Sequence, residues 1–151
     1  MGMDVYDSNE LEQLPACRKD AQDLYKLFIT DKFDYTIFKN EPIIGSKLDK
    51  EYGWAQVRAD ISNFFSSAKP SQTLVFYFSG HGIPDGNDVY LATRPVDPRN
   101  PFNKGFALSD LTKVMGLCKS KQLVAIIDAM RYFRTRRASG PLFVSPFAIT
   151  R

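Results

Sequence analysis

The sequence predicts an α/β fold, a three-layer sandwich in which a mostly parallel sheet is flanked by helices on both faces. Two observations carry this. Thr73–Phe78 and Leu123–Ile127 are almost continuous apolar runs, the pattern of strands covered on both sides. Before and between them lie segments with the helical period and the length of a crossover connection, which places helices over the sheet faces. With 151 residues, 44% of them apolar, the chain is expected to form one domain, residues 1–151, around one core.

The elements follow in order. From Cys17 to Ile29, Ala21, Leu24, Tyr25 and Phe28 recur at steps of three and four between charged residues, which predicts an amphipathic helix. Tyr35–Phe38 is short, rich in β-formers and bounded by turn residues, which suggests a strand. A second helix is predicted over Trp54–Ser67, with Val57, Ile61, Phe64 and Phe65 as its apolar stripe. The strand Thr73–Phe78 is expected to stop at Ser79-Gly80-His81-Gly82. Asp88–Ala92 reads as a short extra strand, and Arg94–Lys104, rich in Pro and Asn, as a surface loop. A third helix starts near Ser109, a good N-cap, with Leu111, Val114, Met115 and Cys118 on one side. The strand Leu123–Ile127 then ends at Asp128-Ala129-Met130.

Composition excludes several classes. A net charge of +3 with interspersed signs lacks the concentrated basic face of a nucleic-acid binder. The local exception, Arg131, Arg134, Arg136 and Arg137, reads either as a solvated face or as a site for phosphate or an acidic partner. Cys17 and Cys118 are far apart and lack zinc-ligand spacing, so neither a metal nor another cofactor is implied, and a calcium requirement is left open. Two lone cysteines fit a reducing compartment. With no apolar stretch of bilayer length and no signal-peptide pattern, a cytoplasmic protein is expected, without membrane contact. No Gly-rich phosphate loop follows a strand.

In a sheet of this kind ligands bind beyond the carboxyl ends of the strands, where SGHG and IIDAM fall. A lone histidine is as a rule a packed or surface residue. Glycines on both sides of His81 argue otherwise, because they would leave the imidazole accessible and let a substrate backbone approach.

The run LVFYFSGHGIPDGNDVYLATRPVDPRN, then a helix beginning LSDL, then LVAIIDAMR, resembles the caspase and metacaspase family. There one core strand ends in SGHG and the next in Asp-Ala-Cys. LPACRKDAQDLYKLF resembles the family's first helix, so the likeness extends to about Phe133, and three motifs in order are a specific match. The resemblance implies a cysteine endopeptidase acting on peptides or proteins in regulated proteolysis such as cell death or immunity. It assigns His81 as general base, the N–H of Gly82 as an oxyanion-hole donor and position 130 as the nucleophile. It favours the metacaspase branch, in which an acidic recess takes Arg or Lys; the positions that build it match Cys17, Asp20, Ser79 and Asp128. Without the resemblance, Asp20 reads as a first-turn acid on the helix dipole and Asp128 as a strand-end cap.

The chain departs from the family at decisive points. Met130 occupies the nucleophile position, and a thioether has no ionisable proton and forms no acyl-enzyme, so the chain as written is expected to be inactive. The alternative is a non-catalytic relative that binds and regulates an active partner. Only Met1-Gly2-Met3 resembles the end of the family's first strand, which is expected to be absent or very short. The family also needs a small subunit to complete its sheet. The chain therefore reads as a large-subunit domain, a fragment or processed subunit, with a small-subunit-like segment as partner and an exposed edge open to dimerisation.

Overall fold

The fold was taken from a computed structural model, which describes residues 1–30, 35 and 37–132, with the backbone alone at Arg131 and at 147–150. The element order is α1 (Pro15–Phe28), α2 (Gly53–Ser66), β1 (Thr73–Asp85), β2 (Asp88–Leu91), α3 (Pro101–Lys104), β3 (Phe106–Ala107), α4 (Leu108–Leu117), β4 (Gln122–Arg131) and β5 (Phe147–Thr150). The sheet has the order β3-β2-β1-β4-β5. Its centre is the parallel pair β1/β4, running from Thr73 opposite Gln122 to Gly82 opposite Arg131. The flanking pairs are antiparallel, so the sheet is mixed around a parallel centre.

Side chains alternate between the two faces of a strand. Leu74, Phe76 and Phe78 of β1 point to one face with Leu123, Ala125 and Ile127 of β4, and all six are buried. The stripe Val57, Ile61 and Phe65 of α2 packs there, with Phe65 against the Phe76 ring at 6.1 Å, and Leu111 and Met115 of α4 are buried beside it. Val75, Tyr77, Ser79 and His81 point to the opposite face, under α1. Helices thus cover both faces, as the α/β sandwich requires.

Several expectations are corrected. β1 does not stop at SGHG; it runs on to Asp85 and turns through Gly86 into β2. Gly86 has φ +59° while Asn87 has no positive φ, the pattern of a two-residue hairpin with glycine at the first central position. Ser109 is not the N-cap of α4; Ala107 is, and the Ser109 hydroxyl donates to Asp88 Oδ2 at 2.5 Å, tying the helix to β2. The loop Arg94–Lys104 contains α3 and buries Val96 and Pro101. Tyr35, Ile37 and Phe38 are not in a strand; position 36 lies outside the described residues. What replaces that strand is a single parallel bridge from Gly2 to Ile44, matched by another from Gly2 to Ser79. The very short first strand is therefore Gly2 with its neighbours. Arg134, Arg136, Arg137 and the side chain of Arg131 lie outside the described residues, as do 141–146. Among the described residues no helix is long and apolar enough to cross a membrane.

Candidate active site

The site is built where β1 and β4 run side by side past their apolar stretches. Ser79 stands opposite Asp128, and His81 opposite Met130. In a parallel pair, residues in register share a face, about 4.8 Å apart from strand to strand. Ser79, His81, Asp128 and Met130 therefore project to the same side, the side covered by α1.

His81 is 4% exposed, which overturns the expectation of an accessible imidazole. The flanking glycines serve packing instead. A Cβ at Gly80 would lie 2.8 Å from Phe78 Cζ and 2.9 Å from the Tyr6 hydroxyl, and one at Gly82 3.3 Å from Ala129 Cβ. Tyr6 holds the backbone here: its hydroxyl accepts from the His81 N–H at 2.9 Å and donates to the Met3 carbonyl at 2.9 Å. Its ring lies 5.0 Å from the imidazole, and burial raises its pKa well above the ordinary phenol value.

The imidazole is oriented by the main chain. His81 Nε2 lies 2.9 Å from the Glu12 carbonyl oxygen. A carbonyl can only accept, so Nε2 carries the proton, and in the neutral ring the lone pair is on Nδ1. That atom is buried and has no hydrogen-bond partner among the described residues. A base fixed in tautomer by a third group is the arrangement nucleophilic catalysis needs. Its neighbour in register is Met130, 55% exposed, whose sulfur has no proton to give.

Gly82 is placed differently from its expected role. Its carbonyl accepts from the Tyr132 N–H at 2.9 Å, so its peptide groups face β4. Its N–H lies on that same edge, inside the ladder. An oxyanion role would need the β1–β4 pairing to part at its last step.

Of the four candidate recess residues, Ser79 and Asp128 stand in register on β1 and β4, and Cys17 and Asp20 lie on α1, which packs against β1. Cys17, on α1, is buried. Burial pushes its thiol pKa up; the Ser79 contact partly opposes this, and the carboxylates of Asp20, Asp128 and Asp4 push it further up. Tyr77 is raised by burial and, more weakly, by Asp128 and Asp20. Asp20 and Asp128 thus act on the same two groups from α1 and from β4. The simpler readings of both fail: α1 starts at Pro15 and has no acid in its first turn, and β4 continues past Asp128 to Arg131.

The model of the caspase domain matches residues 1–147. The chain belongs to the caspase family. No curated protein matches the sequence. In this caspase-family chain the fold is that of a cysteine peptidase. Three positioning groups escaped sequence reasoning: Tyr6, the Glu12 carbonyl, and Asp4, whose buried carboxylate accepts from Ser46 N at 2.7 Å and Ser46 Oγ at 2.8 Å. A backbone carbonyl leaves no mark in a sequence, since every residue has one. Asp4 had a faint signal as a charged residue within the apolar start of the chain.

Proposed function

We propose that this domain recognises an Arg or Lys side chain of a peptide or protein and, with Met130 in place, holds it without cutting. The observation that carries the reading is that Asp128 stands in register with Ser79, two residues before the His81–Met130 pair, beside the helix that carries Cys17 and Asp20, and that both carboxylates push the Cys17 thiol up. A guanidinium or ammonium entering there would donate charge-assisted hydrogen bonds to both carboxylates. The scissile bond would then lie over Met130. Were a thiol at that position, Nδ1 of His81 could take its proton while Nε2–H stays on the Glu12 carbonyl, and the thiolate would attack the carbonyl carbon. The parent chemistry is that of an endopeptidase cutting after basic residues, of metacaspase type. We place it in the cytoplasm, in regulated proteolysis such as cell death or immunity, acting without a cofactor.

The test is Met130→Cys assayed on fluorogenic peptides ending in Arg, Lys or Asp. Turnover of the Arg and Lys peptides alone is expected, falling about 10²–10⁴-fold on adding His81→Ala. A folded Met130→Cys protein, supplied with any strand needed to complete its sheet, that cuts none of them would sink the reading. A second reading, a non-catalytic regulator of an active relative, is favoured by the 55% exposure of Met130 beside an intact base. It is tested by adding the unmodified protein to an active Arg-specific peptidase of this family; an unchanged rate at saturating protein would dismiss it.

A further inference from the structure

The two groups that orient His81 come from one stretch of chain, Asp4–Leu14, which leaves the sheet after Met3 and leads into α1. Tyr6 reaches the His81 N–H with its hydroxyl, and the Glu12 carbonyl accepts from Nε2 of the imidazole, so the base is held from both ends of a single loop. The Tyr6 end is fixed by several groups. Tyr6 itself is buried, the Asp7 N–H donates to the Arg94 carbonyl at 3.0 Å, and the Arg94 guanidinium donates to the Asp7 carboxylate at 3.1 Å. The Glu12 end has fewer anchors. Glu12 is exposed, and the oxygen that meets His81 belongs to the peptide bond it shares with Gln13. That peptide lies between the buried Leu11 and Leu14, and the Leu14 N–H donates to the Asp4 carbonyl at 2.9 Å.

The Gln13 side chain supplies the link across the loop. Gln13 Oε1 accepts from the Tyr6 N–H at 2.9 Å, and Gln13 Nε2 donates to the Tyr6 carbonyl at 2.9 Å. An N–H can only donate and a carbonyl only accept, so this pairing admits one orientation of the amide. Gln13 thus meets the Tyr6 backbone as a neighbouring strand would, with a side chain in place of a second main chain. With the Leu14-to-Asp4 bond it forms two successive rungs between the arms of the loop. Tyr6 and the Glu12–Gln13 peptide are thereby one unit, and that unit carries both contacts to His81. The full amide is needed: an apolar side chain makes neither bond, and an ionised carboxylate has nothing to donate to the Tyr6 carbonyl.

We propose that Gln13 is a positioning residue: by pinning the Glu12 peptide to Tyr6, it holds the His81 proton on Nε2 and keeps Nδ1 free of one. The tautomer it sets is independent of the protease reading; the consequence for turnover rests on that reading.

His81 is the only histidine of the chain, so ring ¹⁵N spectra of histidine-labelled protein report on it alone. At about pH 8, where an ordinary imidazole is neutral, the unmodified protein should show one protonated and one bare ring nitrogen, with the proton on Nε2 by its couplings to the ring hydrogens. Gln13→Leu should stay folded, because the bonds it removes lie at an exposed residue. Its two ring nitrogen signals should nevertheless shift toward one another as the second tautomer gains population. Ser109→Ala, which removes a bond between α4 and β2, controls for general loosening and should leave both signals in place. In the Met130→Cys background, Gln13→Leu should lower kcat about tenfold and change KM by less than about twofold. Unshifted ring signals in folded Gln13→Leu protein, an equal shift in Ser109→Ala, or a proton on Nδ1 in the unmodified protein would overturn the proposal. If Met130→Cys cuts no peptide while Gln13→Leu still moves the ring signals, the protease reading falls and the positioning role stands.

Discussion

At the residue scale, the histidine's surroundings decide what the site can do. Tyr6 is a pivot because one hydroxyl satisfies both the His81 N–H and the Met3 carbonyl in a buried setting. Tyr6→Phe strands both groups, and an unsatisfied buried polar group costs about 1–3 kcal/mol. We expect a loss of that order in denaturant unfolding, with little change in the fold. For the acidic recess, Asp20→Asn and Asp128→Asn should each weaken binding of an Arg peptide to the unmodified protein by about 1.5–3 kcal/mol, read by calorimetry. An Asp peptide should show no such loss. That Ser79, His81, Asp128 and Met130 fall side by side was legible in the sequence, because their motifs end the two apolar strands; the roles of the two aspartates came from the family resemblance. Tyr6 and the Glu12 carbonyl were not, since their roles depend on which backbone groups the fold brings near.

At the element scale, the three long helices were legible to within about two residues and the starts of the two apolar strands to within one, because apolar periodicity reports burial directly. β1 was read too short: glycines signal an end of a strand, yet here Gly80 and Gly82 make room for Phe78, Tyr6 and Ala129 within one. Tyr35–Phe38 was read as a strand from local propensity, which depends on packing context more than on the residues alone. The short first strand is held by contact rather than propensity. A Cβ on Gly2 would stand 2.2 Å from the Cys17 carbonyl oxygen and 2.9 Å from Ala21 Cβ, so α1 lies directly on the Gly2 backbone. Gly2→Ala must therefore push α1 off the sheet, and overpacking of this kind costs about 1–3 kcal/mol. Because Cys17 and Asp20 ride on α1, the same change should also weaken Arg-peptide binding, whereas Gly86→Asn at the hairpin should leave binding unchanged. Equal effects of the two on binding would mean that α1 does not set the recess.

At the scale of the whole molecule, the sheet has two edges of different character, and neither was legible, since strand order is a property of the assembled chain. The expectation of an open edge was directed at the last core strand. That edge of β4 is instead taken by the chain's own β5, from Val124 opposite Thr150 to Ile127 opposite Phe147. Among the described residues, no strand pairs with the Thr73–Val75 edge of β1, on the other side of the parallel centre. Tyr132 donates to Gly82, so even-numbered residues of β4 face β1, and Ala125 and Ile127 face β5. Their amides should exchange slowly in dilute solution, while those of Val75 and Tyr77 exchange at least tenfold faster. Removing residues 147–150 should speed Ala125 and Ile127 alone and open that edge to pairing between copies, seen as a concentration-dependent mass. If Ala125 and Ile127 exchange as fast in the full chain as in the shortened one, β5 does not hold the edge. The β4 margin would then be where a small-subunit-like strand docks, beside Asp128 and Met130, and completing the acidic recess would fall to that partner.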